Sequence, residues 1–335
     1  MDGRRVGILG LTDPDTGVIN PKAAPLSFED PVVAARRAAD ALRDRGAEFV
    51  VVLSHLGAGD DELARATDVD AVLGGHVHSR RAERVAGTLL TRPGAGGQLV
   101  AEVDLDAGAA RLHDVDGASA PDAAARFRDR AHDAGLDEVV ARVDRVARDE
   151  ATTFGGECRV GNFVAGAFRR AADADVGLVN SGGVRAGDPL VGAVTRADLV
   201  SLVPFEEPLT LARVSGARLR EALGQAHGAT LGFGEPDWWH AHLAGARMVY
   251  DTGAGAVRDL RVGGEPVDAG ATYDVALPDF LLRTGQEFSA LTARDRSREL
   301  GVGYETLVAD ARRNGLDPTV DGRVRLVGNE EVAGR

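Results

Sequence analysis

One cysteine, Cys158, and one lysine, Lys22, occur in the 335 residues. A lone cysteine excludes an intrachain disulfide and a thiolate metal cluster. Aromatic residues make up only 4%, so an aromatic side chain on a loop carries more information here than it would elsewhere. No run of about 18 apolar residues is present, which argues against a membrane-spanning helix. The opening "MDGRRVGILGLTD" sets charge directly before a short apolar run without a small-residue cleavage site, and it is read as a buried strand rather than a signal peptide. No internal repeat or low-complexity segment is visible.

Charge is abundant and one-sided. The formal net charge is −13, with arginine supplying all but one of the 39 basic residues. Two readings fit this balance. A GC-rich genome favours Arg, Ala, Gly, Val and Asp codons; alternatively, a carboxylate-rich, lysine-poor surface stays hydrated at high salt, where screening removes self-repulsion. The second is preferred, because codon bias alone does not require so large an acidic excess. Nonspecific nucleic-acid binding is disfavoured on either reading, since it needs a basic surface.

The order of elements predicts an α/β chain of about two domains. "RRVGILGL", "AEFVVVLSH" and "DAVLGGHVH" read as buried strands, "DPVVAARRAADALRDRG" and "DDELARATDV" as helices, and "GTLLTRPGAGGQLVAEVDLD" as a strand pair. Residues 1–113 form the first domain on this reading. Residues 114–149 read as a polar, helical connection whose second half offers an alternative as a strand, and 150–330 form a second mixed α/β domain. There "GNFVAGAFRRAA", "RADLVSLV" and "GARLREALGQAH" are helical, while "DVGLVN", "LTLARVS", "ARMVYDT", "AVRDLRVGGEPV" and "TYDVALPDFLL" are strand-like.

Three histidines sit just past the apolar runs of the first half. His55 ends "FVVVLSH", and His76 and His78 end "AVLGGHVH". Residues beyond the carboxyl ends of strands line the ligand crevice of an α/β sheet, and imidazole suits Zn, Mn and related divalent ions. One such histidine reads most simply as a polar cap on a buried strand. Three at adjacent strand ends point to metal.

"LSHLG" followed by "GGHVH" resembles the last two metal-binding motifs of the calcineurin-like metallophosphoesterases, in the form found in bifunctional 5′-nucleotidases. The resemblance implies a partial metallophosphoesterase α/β sandwich followed by an α+β 5′-nucleotidase C-terminal domain. It also implies two divalent metals, with His55 and His76 on one and His78 on the other. The family's earlier motifs, D-x-H, G-D-x-x and G-N-H-[ED], normally precede the strand corresponding to Val6–Leu11. Without their carboxylates the chain is expected to lack the front of this domain, to bind metal incompletely, to have negligible phosphatase activity and to associate or aggregate through an uncovered sheet edge.

In the second half, "VNSGGVRAG" places Asn180 and Arg185 at the end of a buried strand, and the planar fork of Arg185 suits phosphate, carboxylate or stacking. With "GAVTRADLVSLVPFEEPLTLARVSGARLREAL", "GECRVGNFVAGAF" and "DGRVRL", this stretch resembles the 5′-nucleotidase C-terminal domain over residues 150–328. The resemblance makes Phe205 and Phe280 a pair that sandwiches the base, Gly245 a ligand-facing glycine, and Gln286 the occupant of the position where the family carries an Asp that accepts from ribose hydroxyls. Phe154 stands where an Arg is common, and Glu207 where an Asn is often found. A second H-x-H, His240 and His242 in "WWHAH", reads as structural, and Cys158 as a small buried residue.

The expected activity is that of a 5′-nucleotidase-like phosphoester hydrolase in nucleotide catabolism. The alternatives are a non-catalytic nucleoside- or nucleotide-binding protein and a 2′,3′-cyclic nucleotide phosphodiesterase. The expected partner is a nucleotide or nucleoside, with neither nucleic acid nor membrane. Base preference, metal identity and compartment stay open.

Overall fold

The computed structural model describes residues 3–117, 120–231 and 237–328. Contacts divide the chain into two units, residues 1–120 and 121–335.

The first unit runs β1 (Val6–Thr12), α1 (Thr16–Ile19), α2 (Pro31–Asp44), β2 (Phe49–His55), α3 (Gly59–Ala66), β3 (Ala71–Gly74), β4 (Arg80–Val85), β5 (Thr88–Pro93), β6 (Leu99–Asp104) and β7 (Ala109–Asp114). Its main sheet has the order β1-β2-β3-β5-β4, parallel except for β4. Helix α2 starts where Asp30 accepts from the Val33 N–H and Pro31 occupies the first turn, a pairing that satisfies an otherwise orphaned donor with a preset φ. Its small residues Ala35 and Ala39 join Val50, Val52, Leu63, Val72 and Leu90 in the core between helices and sheet. On the opposite face Val51, Ala71 and Leu89 pack with Val103, Leu105 and Ala110 from the β6–β7 hairpin. Ile8 and Leu53 remain half exposed there.

The segment "GTLLTRPGAGGQLVAEVDLD" is not a strand pair. Its halves are β5, which pairs with β3 and β4, and β6, which pairs with β7. The missed partner, β4, carries the polar sequence "RRAERV" and lies at the sheet edge, where burial imposes no apolar alternation.

The second unit contains α4 (Pro121–Asp133), β8 (Val139–Val146), α5 (Glu150–Phe154), α6 (Arg159–Ala172), β9 (Val176–Asn180), β10 (Leu190–Thr195), α7 (Arg196–Leu202), β11 (Pro208–Ser215) and α8 (Gly216–Gly224). It continues with β12 (Ala241–Ala244), β13 (Ala246–Asp251), β14 (Ala256–Val262), β15 (Glu265–Pro266), β16 (Thr272–Pro278), α9 (Asp279–Thr284), β17 (Arg296–Val302), α10 (Gly303–Asn314) and β18 (Val324–Val327). The start of the second unit lies at 121 rather than 150: the first half of 114–149 is helical as read, in α4, and its second half is the alternative strand, β8. Strand β8 pairs antiparallel with β10 and buries Val140, Val143 and Val146 beside Phe163 and Val164 of α6, so this stretch belongs to the second unit's core.

The central sheet of this unit has the order β12-β9-β16-β11-β17. One face is covered by α6, α7 and α10 residues such as Phe168, Leu199 and Leu307, the other by Leu219, Leu223, Trp239 and Tyr250. Coverage of both faces explains why every residue of β9 is buried and why "DVGLVN" reads as a continuous apolar run.

Candidate functional site

In the first unit β2 and β3 are parallel and in register, Ser54 opposite Gly74. Their carboxyl ends therefore deliver His55 and His76 to one place. The rings meet edge to face with centroids 4.9 Å apart and His76 Nδ1 3.2 Å from His55 Nε2. His76 holds a left-handed φ of 66°, a conformation a non-glycine residue keeps only when its surroundings impose it. Gly57 and Gly75 supply the room: a Cβ on Gly57 would lie 2.9 Å from the His76 ring, and one on Gly75 would lie 3.1 Å from His55 Nδ1.

A buried network holds these loops from below. Asp60, with 0% exposure, accepts from Ser54 Oγ at 2.5 Å and from Arg92 Nε and Nη2 at 3.0 and 2.8 Å. Arg92 also donates to the Gly57 carbonyl. Ser54 precedes His55, so the ion pair fixes both sides of that turn. His78 is exposed two residues further along. Among the described residues no three His, Cys, Asp or Glu side chains are grouped to hold a metal, so the structure brings together His55 and His76 but not His78. Two imidazoles so placed are donors suited to one edge of a divalent-metal site.

In the second unit, strand register sorts the sequence-derived residues by end. β9 and β16 are parallel, Val275 opposite Val176, β11 is antiparallel to β16 with Leu209 opposite Pro278, and β12 is antiparallel to β9 with Ala241 opposite Asn180. Asn180, Phe205, Phe280 and the segment before β12 therefore share one end of the sheet. The Arg185 guanidinium lies 5.0 Å from the centroid of the Phe205 ring, a cation–π arrangement. Glu207 accepts from the Phe280 N–H at 2.9 Å and pairs with Arg283 at 3.5 Å, which ties the two phenylalanine loops together. Burial holds the Glu207 carboxyl above its ordinary range.

Gly245 is not part of this end. It follows Ala244, which pairs with Gly177 at the start of β9. Its φ of +75°, and a missing Cβ that would strike the Asp175 carbonyl and the Arg169 side chain, account for glycine here by backbone geometry alone. Gln286 is exposed, and its backbone N–H reaches Thr284 Oγ1 at 3.5 Å.

Glu287, unremarked in the sequence, is buried at 7% exposure. One carboxylate oxygen accepts from Asn180 Nδ2 at 2.6 Å and the other lies 3.3 Å from His240 Nδ1. Phe154 and Trp238, both half-buried, lie with ring centroids 4.4 Å apart, and His240 meets Phe154 edge-on at 5.4 Å. The "WWHAH" segment thus contributes to the strand end, and from Trp239 through β12 it is buried without alternation, so no period-2 pattern marks it. His242, fully buried, sits 3.1 Å from Ser181 Oγ and 3.9 Å from Cys158 Sγ. Burial raises the Cys158 thiol to about 11 and lowers the His242 imidazole to about 4, so this pair is neutral and not an activated nucleophile.

Residues 139–293 match the family described as 5′-nucleotidase, C-terminal domain. The chain is 25% identical to the trifunctional nucleotide phosphoesterase protein YfkN of Bacillus subtilis over 98% of its own length and 25% of that protein. It is 26% identical to an apyrase of Tabanus yao over 97% of its length and 69% of that protein. Against the first two curated relatives it spans 25% and 29% of their lengths. A 5′-nucleotidase precursor from Thermus thermophilus shares the fold, with a TM-score of 0.75 and 23% identity over 97% of this chain and 73% of that one. Among the described residues no helix is long and apolar enough to cross a membrane.

Proposed function

We propose that this chain, whose residues 139–293 match the 5′-nucleotidase C-terminal domain, serves the hydrolysis of nucleotide phosphoesters. The second unit holds the nucleoside, and the first contributes imidazole donors to a divalent-metal site. The observation that carries this reading is the shared sheet end of Asn180, Arg185, Phe205 and Phe280, with Arg185 over Phe205 and Glu207 joining the two aromatic loops. Stacking on an aromatic ring contributes about 1–3 kcal/mol per base and tolerates any base. A divalent ion held by His55 and His76, with His78 following on the same loop, would supply Lewis-acid polarisation of a phosphoryl oxygen. The Asp60–Arg92 pair orients the two imidazoles, and Asn180 and Arg185 offer donors to the nucleotide.

The test is calorimetric titration of the full chain with adenosine and AMP, in high salt because the −13 charge is read as salt adaptation. Binding that disappears in the Phe205→Ala, Phe280→Ala double variant supports the proposal. No heat at millimolar ligand, or binding indifferent to both substitutions, sinks it. Phosphate release from AMP with added manganese is expected to be negligible, because among the described residues no third His, Cys, Asp or Glu side chain is grouped with His55 and His76; robust release that is lost in His76→Ala would show that another carboxylate completes the site.

A further inference from the structure

Phe205 and Phe280 are rooted in different cores. Phe205 packs against the cluster under α6, α7 and α10, and Phe280 against the cluster on the opposite face of the sheet. The ladder that joins β11 to β16 ends at Leu209 opposite Pro278, so strand pairing does not by itself fix how the two rings stand beyond it. Glu207 makes the next connection, accepting from the Phe280 N–H at 2.9 Å and lying 3.5 Å from Arg283. Pro278 gives α9 no side-chain cap, so Glu207 supplies from another loop an acceptor for one of the N–H groups that a helix start leaves unmatched. Pro204 and Pro208 flank the Phe205–Glu207 segment and limit its backbone freedom.

The surroundings make this contact depend on charge. The charged groups facing Glu207 are Arg283 and Asp279 of α9, and Asp279 is itself engaged by Arg283 and by Arg296 at the start of β17. On its own loop Glu206 is exposed, and Arg185 lies over Phe205. Phe168 of α6 and Gly303 of α10 close the apolar side around a niche of ≈ 10 Å³, room for about one water at most. An ionised carboxylate accepts a hydrogen bond roughly twice as strong as a neutral one and also attracts the guanidinium; protonation weakens both contacts. Burial holds this carboxyl above its ordinary range, so the change comes at a higher pH than for an exposed Glu.

We propose that Glu207 is a positioning residue whose ionised carboxylate holds the start of α9 to the Phe205 loop, so that the aromatic pair takes a nucleoside more tightly with Glu207 charged than protonated. This rests on the nucleoside reading and adds to it a response to pH. The difference between a charged and a neutral acceptor corresponds to about fivefold in affinity. By reciprocity the nucleoside favours the ionised form by the same factor, so binding releases about 0.4 proton at the midpoint of the titration.

Adenosine, which has no phosphate to titrate, is the probe. Calorimetry on the full chain between pH 7.5 and 5, in buffers of different ionisation enthalpy, reads affinity and proton release together, for the parent and Glu207→Gln. In the parent the Kd rises about fivefold as pH falls, with proton release on binding. Glu207→Gln accepts from the Phe280 N–H through its amide oxygen but cannot ionise, so it binds throughout with the parent's low-pH affinity and without that release. His240, His242 and Glu287 are common to both proteins, so the difference belongs to Glu207. A merely structural role would lower the urea midpoint of Glu207→Gln along with its affinity and leave the two pH profiles parallel. Parallel profiles, or equal proton release, overturn the assignment. If adenosine binding is lost in the Phe205→Ala, Phe280→Ala variant yet its pH profile is the same in Glu207→Gln, only the role given to Glu207 falls. If the parent binds no adenosine at any pH, the nucleoside reading falls and this role with it.

Discussion

Acidification should destabilise the second unit through His242. The ring is 1% exposed, and a Cβ on Gly161 would collide with it, so it has no room to turn toward solvent. Ser181 Oγ donates to the Trp239 carbonyl and so accepts from His242 Nε2–H. Burial, with a smaller contribution from His240, lowers the imidazole from 6.5 to about 4. Between those values the unfolded chain binds a proton that the folded chain does not, so stability is full above pH 6.5 and falls as pH drops toward 4. The complete loss is ~3 kcal/mol, and about 2 kcal/mol of it is gone by pH 5. Urea unfolding followed by tryptophan fluorescence reads this directly, because Trp239 is buried against Tyr250 in the same unit. His242→Gln keeps a side-chain N–H for Ser181 but cannot be protonated. The variant should lose about 2 kcal/mol less than the parent between pH 7.5 and 5. Equal losses in the two proteins would refute the argument, since the remaining titrating groups are common to both.

Arg92→Ala leaves Asp60 buried without its guanidinium, and it should cost about 3–5 kcal/mol, seen as lost hydrogen-exchange protection over residues 49–75. Replacing Asp60 and Arg92 together by apolar residues should cost less than either single change. Glu207, raised by burial, binds its proton more tightly folded than unfolded, so its contribution worsens as pH rises through that window. Glu207→Gln should therefore be no less stable than the parent at neutral pH, as measured by the urea midpoint, and should remove that part of the pH dependence. Gly245→Ala should destabilise by about 2 kcal/mol or more, through its positive φ and the Asp175 carbonyl. Adenosine affinity of the folded protein should not change in that variant, which calorimetry can check.

The sequence made the strands legible where both sheet faces are covered. "FVVVLSH" and "DVGLVN" read as continuous apolar runs, and parallel register then put His55, His76 and Asn180 at strand ends. What stayed hidden has one of three physical causes. β4 is a polar edge strand, so its composition carries no periodic signal. Gly245 looks like a ligand-facing glycine until antiparallel pairing of β12 with β9 sends it to the far end, where backbone crowding explains it. Glu287 and His240 are polar residues buried against each other, a pairing that depends on contacts far apart along the chain.

The departures from the family pattern are informative for the same reason. Phe154 stands where an arginine is common, and its ring lies against Trp238. Glu207 replaces a frequent asparagine and holds the Phe280 backbone while meeting Arg283. Gln286 replaces an acidic residue, and the carboxylate reappears one position on, bonded to Asn180. A site losing its role would accumulate replacements that leave polar groups unmatched or apolar surface bare, at a cost of roughly 1–3 kcal/mol for each buried unsatisfied group. These replacements instead contact one another or their neighbours. On the reading by resemblance, this end of the sheet carries an aromatic surface at Phe154, against Trp238, where the family carries a cation. Its ligand should therefore make weaker demands on phosphate charge there and stronger demands on stacking.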